Sequence, residues 1–436
     1  MNVAGIEPAS AFKRRLPPRV GKRSRIGFFG IFGIQNLGNE CTLQAILKNA
    51  QRRLPDDEIY AISFNPADTV ARHKIPAYAV TYQDFSGVNP RTGFIGGLEK
   101  LLRLIRRVPG ELNDWLKAIK TLRGTSVVFM TGTGMLTDYM TSASGFPYHV
   151  FRWAAASRLA GCKVRFVGVG VSPIYGRMSR WLIRAALSLA DYRSFRDQNS
   201  KDKIRKYGFN SDNDYVFPDL VFSLPPETCP PRNDCDVHIR TVGLGVMDHW
   251  DIHLWSPEKH QAIYSAYLET MCDFVKWLIK HSYGIRILQG DSKHDARARA
   301  DLKARLERRG IHYETAGIID EGSTTVEQLI GQIAKTDIVI SPRFHSLLLG
   351  LMMNIPGISI SYDPKNDALL DSVGLGEYRQ AIDNIGFQKL VDQFKNLELR
   401  INDVKPLIEQ KSKEHRALLE NQYDKIFSDF FGSTRQ

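Results

Sequence analysis

Apolar positions along the chain fall into short runs separated by amphipathic stretches of helical length. Arg25 to Phe32, Ile59 to Phe64, Tyr78 to Tyr82, Ser126 to Thr131 and Val164 to Val169 are each close in length to a strand buried on both faces, as a parallel sheet requires. Between them lie segments such as Cys41 to Arg53, in which Leu43, Ile46, Leu47 and Ala50 share one helical face. A second series of runs follows at Val237 to Val242, Ile285 to Gln289, weakly near His312, Asp337 to Ser341 and Gly357 to Tyr362. Helical patterns over Glu258 to His281, Ala296 to Arg309 and Val326 to Lys335 separate these runs. Strands alternating with helices twice over predict an α/β protein of two Rossmann-like lobes.

Between the two series, Pro225, Pro226, Pro230 and Pro231 suit neither a helix interior nor a central strand, so the linker is placed there. The expected organisation is a basic arm over 1–24, one Rossmann-like domain over 25–223, a second over 236–381, and helices over 382–436 that pack back across the first lobe.

With 43% hydrophobic and 24% charged residues in 436, the composition excludes wholesale disorder or a fibrous repeat. The formal net charge of +12 favours anionic partners, whether nucleic acid, acidic lipid or a small phosphorylated or carboxylated substrate. Part of that charge is local: Lys13, Arg14, Arg15, Arg19, Lys22, Arg23 and Arg25 follow one another with no acid between. Leu98 to Arg107 sets Leu98, Leu101, Leu102 and Ile105 on one face with basic residues mostly away from it. It fits equally an anionic membrane surface or a core helix with a solvated basic face. Cys41, Cys162, Cys229, Cys235 and Cys272 are too scattered for a disulfide framework and form no CxxC pair, so a reducing cytoplasm is expected. The N-terminal residues lack a signal peptide's continuous apolar stretch, and Leu347 to Ile360 is broken by Gly350, Asn354, Pro356 and Gly357, so no membrane span is expected. Nothing resembles a zinc finger or an RRM, and no nucleic-acid partner is expected.

Chemistry concentrates at strand ends. Ile338-Val339-Ile340-Ser341-Pro342-Arg343-Phe344-His345-Ser346 aims Arg343 and His345 at the rim of a sheet beside a helix start. That supplies a fixed cation, helix N–H groups and a group that moves protons near neutral pH. The loop Gly30 to Glu40 also ends at a helix start, but matches neither GxGxxG nor a phosphate loop with GK[ST]. It is equally a ligand contact or a turn capped by Asn36 or Asn39. Gly132-Thr133-Gly134 and Gly168-Val169-Gly170 read first as tight turns. Arg196-Asp197 is either an anion clamp or a surface pair. His249 and His253 are four apart with Asp248 and Asp251 nearby, yet lack the HExxH context, and an acceptor-facing or solvated loop fits better than a metal pair.

Taken in order, these segments resemble the polysaccharide pyruvyl transferase family. The resemblance rests on Gly33, Asn36, Gly38 and Glu40 of a GxxxNxGxE loop, on Gly132-Thr133-Gly134, and on Gly168 through Pro173. It continues with Ser194-Phe195-Arg196-Asp197, Ser200, Asp219, Arg343-Phe344-His345-Ser346, and Ile358 through Tyr362 with Lys365. It covers about Arg25 to Tyr378 and implies two lobes arranged as in GT-B glycosyltransferases, with the active site in the cleft between them. The implied reaction transfers a pyruvyl group from phosphoenolpyruvate to two hydroxyls of a sugar, giving a cyclic ketal and releasing phosphate. The acceptor is a surface polysaccharide or its lipid-linked oligosaccharide precursor. Arg343 and His345 then stand as catalytic residues. Arg196, Arg343, Phe344, His345, Ser346, Asn36, Gly38, Glu40, Gly134, Tyr362 and Lys365 stand as substrate-binding residues. No metal or cofactor is implied beyond phosphoenolpyruvate as donor. The chain departs from the family's NxGD at Asn39, where Asp is usual, and so loses a charge. A cytosolic donor and basic surfaces place the protein in the cytoplasm, with the cytoplasmic face of the inner membrane as a candidate surface. The alternatives are a GT-B glycosyltransferase using a nucleotide sugar, or a non-catalytic envelope-assembly component.

Overall fold

A computed structural model describes residues 23–81, 97–132, 134–139, 141–230, 241–250 and 254–430. The first parallel sheet contains β1 (Arg25–Phe29), β2 (Glu58–Ser63), β3 (Ala77–Ala79), β4 (Thr125–Thr131), β5 (Lys163–Val169), β6 (Tyr192–Phe195) and β7 (Tyr215–Val216), in the order β3-β2-β1-β4-β5-β6-β7. The second contains β8 (Thr241–Gly245), β9 (Gly284–Leu288), β10 (Ile318–Ile319), β11 (Ile338–Ser341), β12 (Gly357–Ser361) and β13 (Arg379–Ala381), in the order β10-β9-β8-β11-β12-β13. Helices alternate with these strands and bury the apolar runs; Phe28 of β1 and Phe129 of β4 stack with ring centroids 5.2 Å apart.

In each sheet the strand order reverses once, between β1 and β4 and between β8 and β11. Ligands of open α/β sheets bind at such reversals, off the carboxyl ends of the strands. The loops there carry Asn36 and Gly38 after β1, and Arg343 and His345 after β11. The first of these meets the loop after β9 of the other lobe: Leu37 N–H donates to Gly290 C=O (3.1 Å), and Asn36 pairs with Asp291 across the cleft.

Several elements differ from their expected positions. Pairing of the strand expected over 237–242 starts at Thr241 and runs to Gly245, and residues 237–240 lie outside the described residues. His312 lies just before the turn at 313–317, and the edge strand beside β9 is Ile318–Ile319. The helix expected from Cys41 begins at Leu37, because the Asn36 side chain accepts from Gly38 and Asn39 N–H and caps it there. The helix that follows β11 begins at Phe344, which puts His345 in its first turn.

The helix Ile401–Phe427 returns to the first lobe. Arg53 binds Glu420 (2.5 Å), Tyr423 Oη shares a hydrogen bond with Ser223 Oγ (2.8 Å), and Arg165 binds Asp429 just beyond the helix. The basic arm lies outside the described residues up to Lys22. The expected basic face Leu98–Arg107 falls within the helix Gly97–Leu122, but its side chains also lie outside them. Among the described residues no helix is long and apolar enough to cross a membrane.

Candidate active site

At the end of β11 the chain turns through Pro342, and Arg343 N–H donates to Ser341 Oγ (3.0 Å). Arg343 is the N-cap of the helix Phe344–Met352 and supplies no side-chain cap, so the first-turn N–H groups are not capped by it. Its guanidinium turns to buried Asp295, donating from Nε (2.8 Å) and from Nη2 to the same oxygen. The other Asp295 oxygen accepts from Gly290 and Asp291 N–H (3.0 and 2.9 Å). Burial opposes the Arg343 cation, but Asp295 and Asp291 more than offset it and hold the pKa above the ordinary arginine value. Asp295 thus fixes the orientation of the arginine. Nothing in the sequence marked it, although Gly290-Asp291 at a strand end carries the same signal as the loops that were singled out.

The loop after β1 approaches from the other lobe. Asn36 Nδ2 donates to Asp291 Oδ2 (3.0 Å). Gly38 lies against His345 so closely that a Cβ would stand 2.1 Å from the imidazole Nδ1. Glu40 belongs elsewhere. It is fully buried, accepting from Gly33 N–H (2.9 Å) with one oxygen and meeting His73 Nε2 (2.9 Å) with the other. The structure does not bring it to the cleft: its role is to hold the loop in shape.

Arg196 follows β6, and Gly170 leaves room for it, since a Cβ there would stand 2.8 Å from the guanidinium carbon. The guanidinium lies 4.7 Å from the centroid of Phe344. It contacts Asp197 (3.2 Å) and Asp219 (3.8 Å) and is buried, which replaces the surface-pair alternative with a buried cation at the cleft. Gly134, at φ +73°, has its N–H against Gly170, 2.8 Å from where a Cβ of that glycine would stand, and so supports the shelf under Arg196. Thr133 lies outside the described residues. Lys365 stands over Tyr362, its Nζ 4.6 Å from the ring centroid. Asp363, which caps the helix Pro364–Ser372, keeps its carboxyl below the usual range despite burial because Lys365 and Lys203 lie beside it. Ser346 is buried with no hydrogen-bond partner for its Oγ among the described residues. It packs near Gly290.

These residues enclose a cavity of about 90 Å³ lined by Asn36, Gly38, Asn39, Arg196, Gly290, Arg343, Phe344, His345, Tyr362 and Lys365. Among the described residues three cations border it and no carboxylate does. Burial, then Arg196, Lys365 and Arg343 in turn, hold the His345 pKa well below the ordinary imidazole value, so the ring is neutral at rest. Asp248 is occupied by His260 (2.7 Å) and Arg297 (2.9 Å). His249 packs against Tyr139, Trp255 and Tyr362, and His253 lies outside the described residues.

Two Rossmann-like lobes with a cationic cleft at paired reversal points define a GT-B-type α/β protein. Solved structures agree. A putative UDP-N-acetylglucosamine 2-epimerase from Listeria monocytogenes matches with a TM-score of 0.54 at 12% identity, covering 94% of this chain and 97% of the other. The lipopolysaccharide outer core galactosyltransferase WaaB matches at 0.52 and 14%, covering 93% and 99%. A UDP-GlcNAc 2-epimerase from Methanocaldococcus jannaschii matches at 0.52 and 11%, covering 86% and 92%. At such identities the likeness is one of fold. No protein of curated function matches the sequence significantly. The family model for polysaccharide pyruvyl transferase matches residues 36–364, and the chain belongs to that family.

Proposed function

We propose that the protein transfers a pyruvyl group from phosphoenolpyruvate to two hydroxyls of a sugar unit, forming a cyclic ketal and releasing phosphate. The observation that carries this reading is the small cavity bordered by Arg196, Arg343 and Lys365 and, among the described residues, by no carboxylate. A donor with one carboxylate and one phosphate on a three-carbon enol needs several oriented cations in little space. Arg343 offers a direction fixed by Asp295, and Arg196 comes from the opposite lobe, so the two clamp the donor across the cleft.

In this reading His345, once protonated, gives its proton to the methylene carbon, leaving positive charge on the enol carbon. The first sugar hydroxyl bonds to that carbon and returns a proton to His345. Phosphate then leaves with the electrons of its C–O bond, and the second hydroxyl closes the ring, its proton departing with the phosphate. The protein is assigned to the cytoplasm, or its membrane face, because the donor is made there.

The test is thermal stability with phosphoenolpyruvate and, separately, a nucleoside-diphosphate panel. A ligand at 100 times its Kd stabilises by about 2.7 kcal/mol. Stabilisation by phosphoenolpyruvate that Arg343→Lys and Lys365→Ala both reduce supports pyruvyl transfer. Stabilisation by a nucleotide alone transfers the assignment to glycosyl transfer.

A further inference from the structure

A second, larger cavity of about 570 Å³ abuts the cationic one. The two share Arg196, Phe344 and Lys365 as a common wall. Its size is that of a pocket for a small organic ligand, several times that of its neighbour. Its lining differs in kind. Asp197, Asp219 and Asp371 line it with Arg196 and Lys365, and Asp371 is paired with Arg379 (2.8 Å), so among the described residues these charges balance and an anionic ligand gains little there. Phe217, Phe222 and Phe344 supply apolar faces, against which the C–H faces of a pyranose pack while its hydroxyls meet acceptors.

Asp219 has an unfilled hydrogen-bonding position. It is buried, and its Oδ1 accepts from Val221 N–H (3.1 Å). Its Oδ2 has no hydrogen-bond partner among the described residues; Arg196 Nη1 stands 3.8 Å away. A buried carboxylate oxygen is rarely left unpaired unless a ligand or water completes it. Because Arg196 belongs to both cavities, whatever donates to Asp219 Oδ2 is held next to a residue of the donor site.

Building on the pyruvyl-transfer reading, we propose that this larger cavity seats the acceptor as a neutral sugar unit, and that Asp219 Oδ2 accepts a hydrogen bond from one of its hydroxyls. The donor and the acceptor then occupy adjoining chambers that meet at Arg196, Phe344 and Lys365, where a sugar hydroxyl reaches the donor carbon.

The probes are methyl galactoside, methyl glucoside and methyl mannoside, with binding read by saturation-transfer NMR on the full chain with and without phosphoenolpyruvate. Two variants fill the cavity from different helices, Ser372→Trp and Leu418→Trp; Ser372 and Leu418 are both surface-accessible, so folding is retained and is checked by melting. At least one glycoside is expected to bind wild type and to bind both filled variants at least about tenfold more weakly, with stabilisation by phosphoenolpyruvate unchanged. Asp219→Asn, which keeps the acceptor for Val221 N–H, is expected to weaken glycoside binding about tenfold, the worth of a charge-assisted hydrogen bond. Glycoside binding unaffected by both tryptophans, or no glycoside binding to a protein that binds phosphoenolpyruvate, overturns the cavity assignment. Unchanged affinity in Asp219→Asn overturns the role of Asp219. Glycoside binding that the tryptophans block, in a protein phosphoenolpyruvate does not stabilise, upholds the sugar site and instead removes the pyruvyl donor.

Discussion

Gly38 and His345 belong to different lobes, yet the space a Cβ would take on Gly38 stands 2.1 Å from the imidazole Nδ1 of His345. The glycine is required by close approach across the cleft. Gly38→Ala is therefore expected to displace the imidazole by about 1 Å and to lower the transfer rate about 100-fold, the usual penalty for such a misplacement. The displaced ring also costs packing, about 1–3 kcal/mol, so melting temperature should fall modestly as well. A rate within a factor of two of wild type would show that the ring has room to retreat.

Arg343 and Asp295 form a pair in which the carboxylate is fully buried. Removing either partner strands a charge, at a cost of about 3–5 kcal/mol. Arg343→Ala and Asp295→Ala are each expected to destabilise by that amount in denaturant titrations. The double variant should cost clearly less than the sum, since it leaves neither charge unpaired. Strict additivity would mean the pair is not coupled. For this reason Arg343→Lys, which keeps the charge, is the better probe of ligand binding.

Much of the fold could be read from the chain, because strands buried on both faces must be continuous apolar runs; β1, β11 and β12 lie within such runs, and β2, β4, β5 and β9 begin one residue before theirs. β7 and β13 were not legible. They have two and three residues, too few for a period, and exist because a neighbouring strand offers them partners. The site divides in the same way. Arg343 and His345 follow a buried strand directly, so their place at the rim was written locally. Asp295 reaches Arg343 from 48 residues away, and the burial of Glu40 depends on His73, 33 residues on. Neither relationship leaves a trace in local spacing, and Glu40 looks like a site residue only because it adjoins one.

Burial, and then Arg196, Lys365 and Arg343, hold the His345 pKa well below the ordinary imidazole value. Between that lowered value and the ordinary one, the unfolded chain binds a proton that the folded protein does not. Acidification through the ordinary imidazole range therefore costs stability. In the pyruvyl-transfer reading, a bound anionic donor opposes the field of these cations and raises the imidazole pKa, so donor binding near pH 7 is expected to take up protons. Calorimetry in buffers of different ionisation enthalpy measures this directly. Wild type should show uptake and His345→Asn should not, while equal heats in all buffers would mean that the imidazole stays neutral in the complex.

Asn39 lines the cationic cavity from the first turn of the helix Leu37–Arg53, at the position where the family's pattern places Asp. An Asp there would be ionised beside Arg196, Arg343 and Lys365, with two opposed effects. A carboxylate in the first turn favours the helix by about 0.3–1 kcal/mol, so Asn39→Asp should raise the melting temperature slightly. The same charge competes with the donor for the cations, and a like charge about 5 Å from a dianion at an effective dielectric near 20 weakens binding by tenfold or more. It also stabilises protonated His345 before the donor arrives, so the variant should take up fewer protons on binding than wild type. Stability, affinity and proton uptake thus move in specified directions from one substitution. If Asn39→Asp bound phosphoenolpyruvate as tightly as wild type and with the same proton uptake, position 39 would lie outside the field that the donor feels.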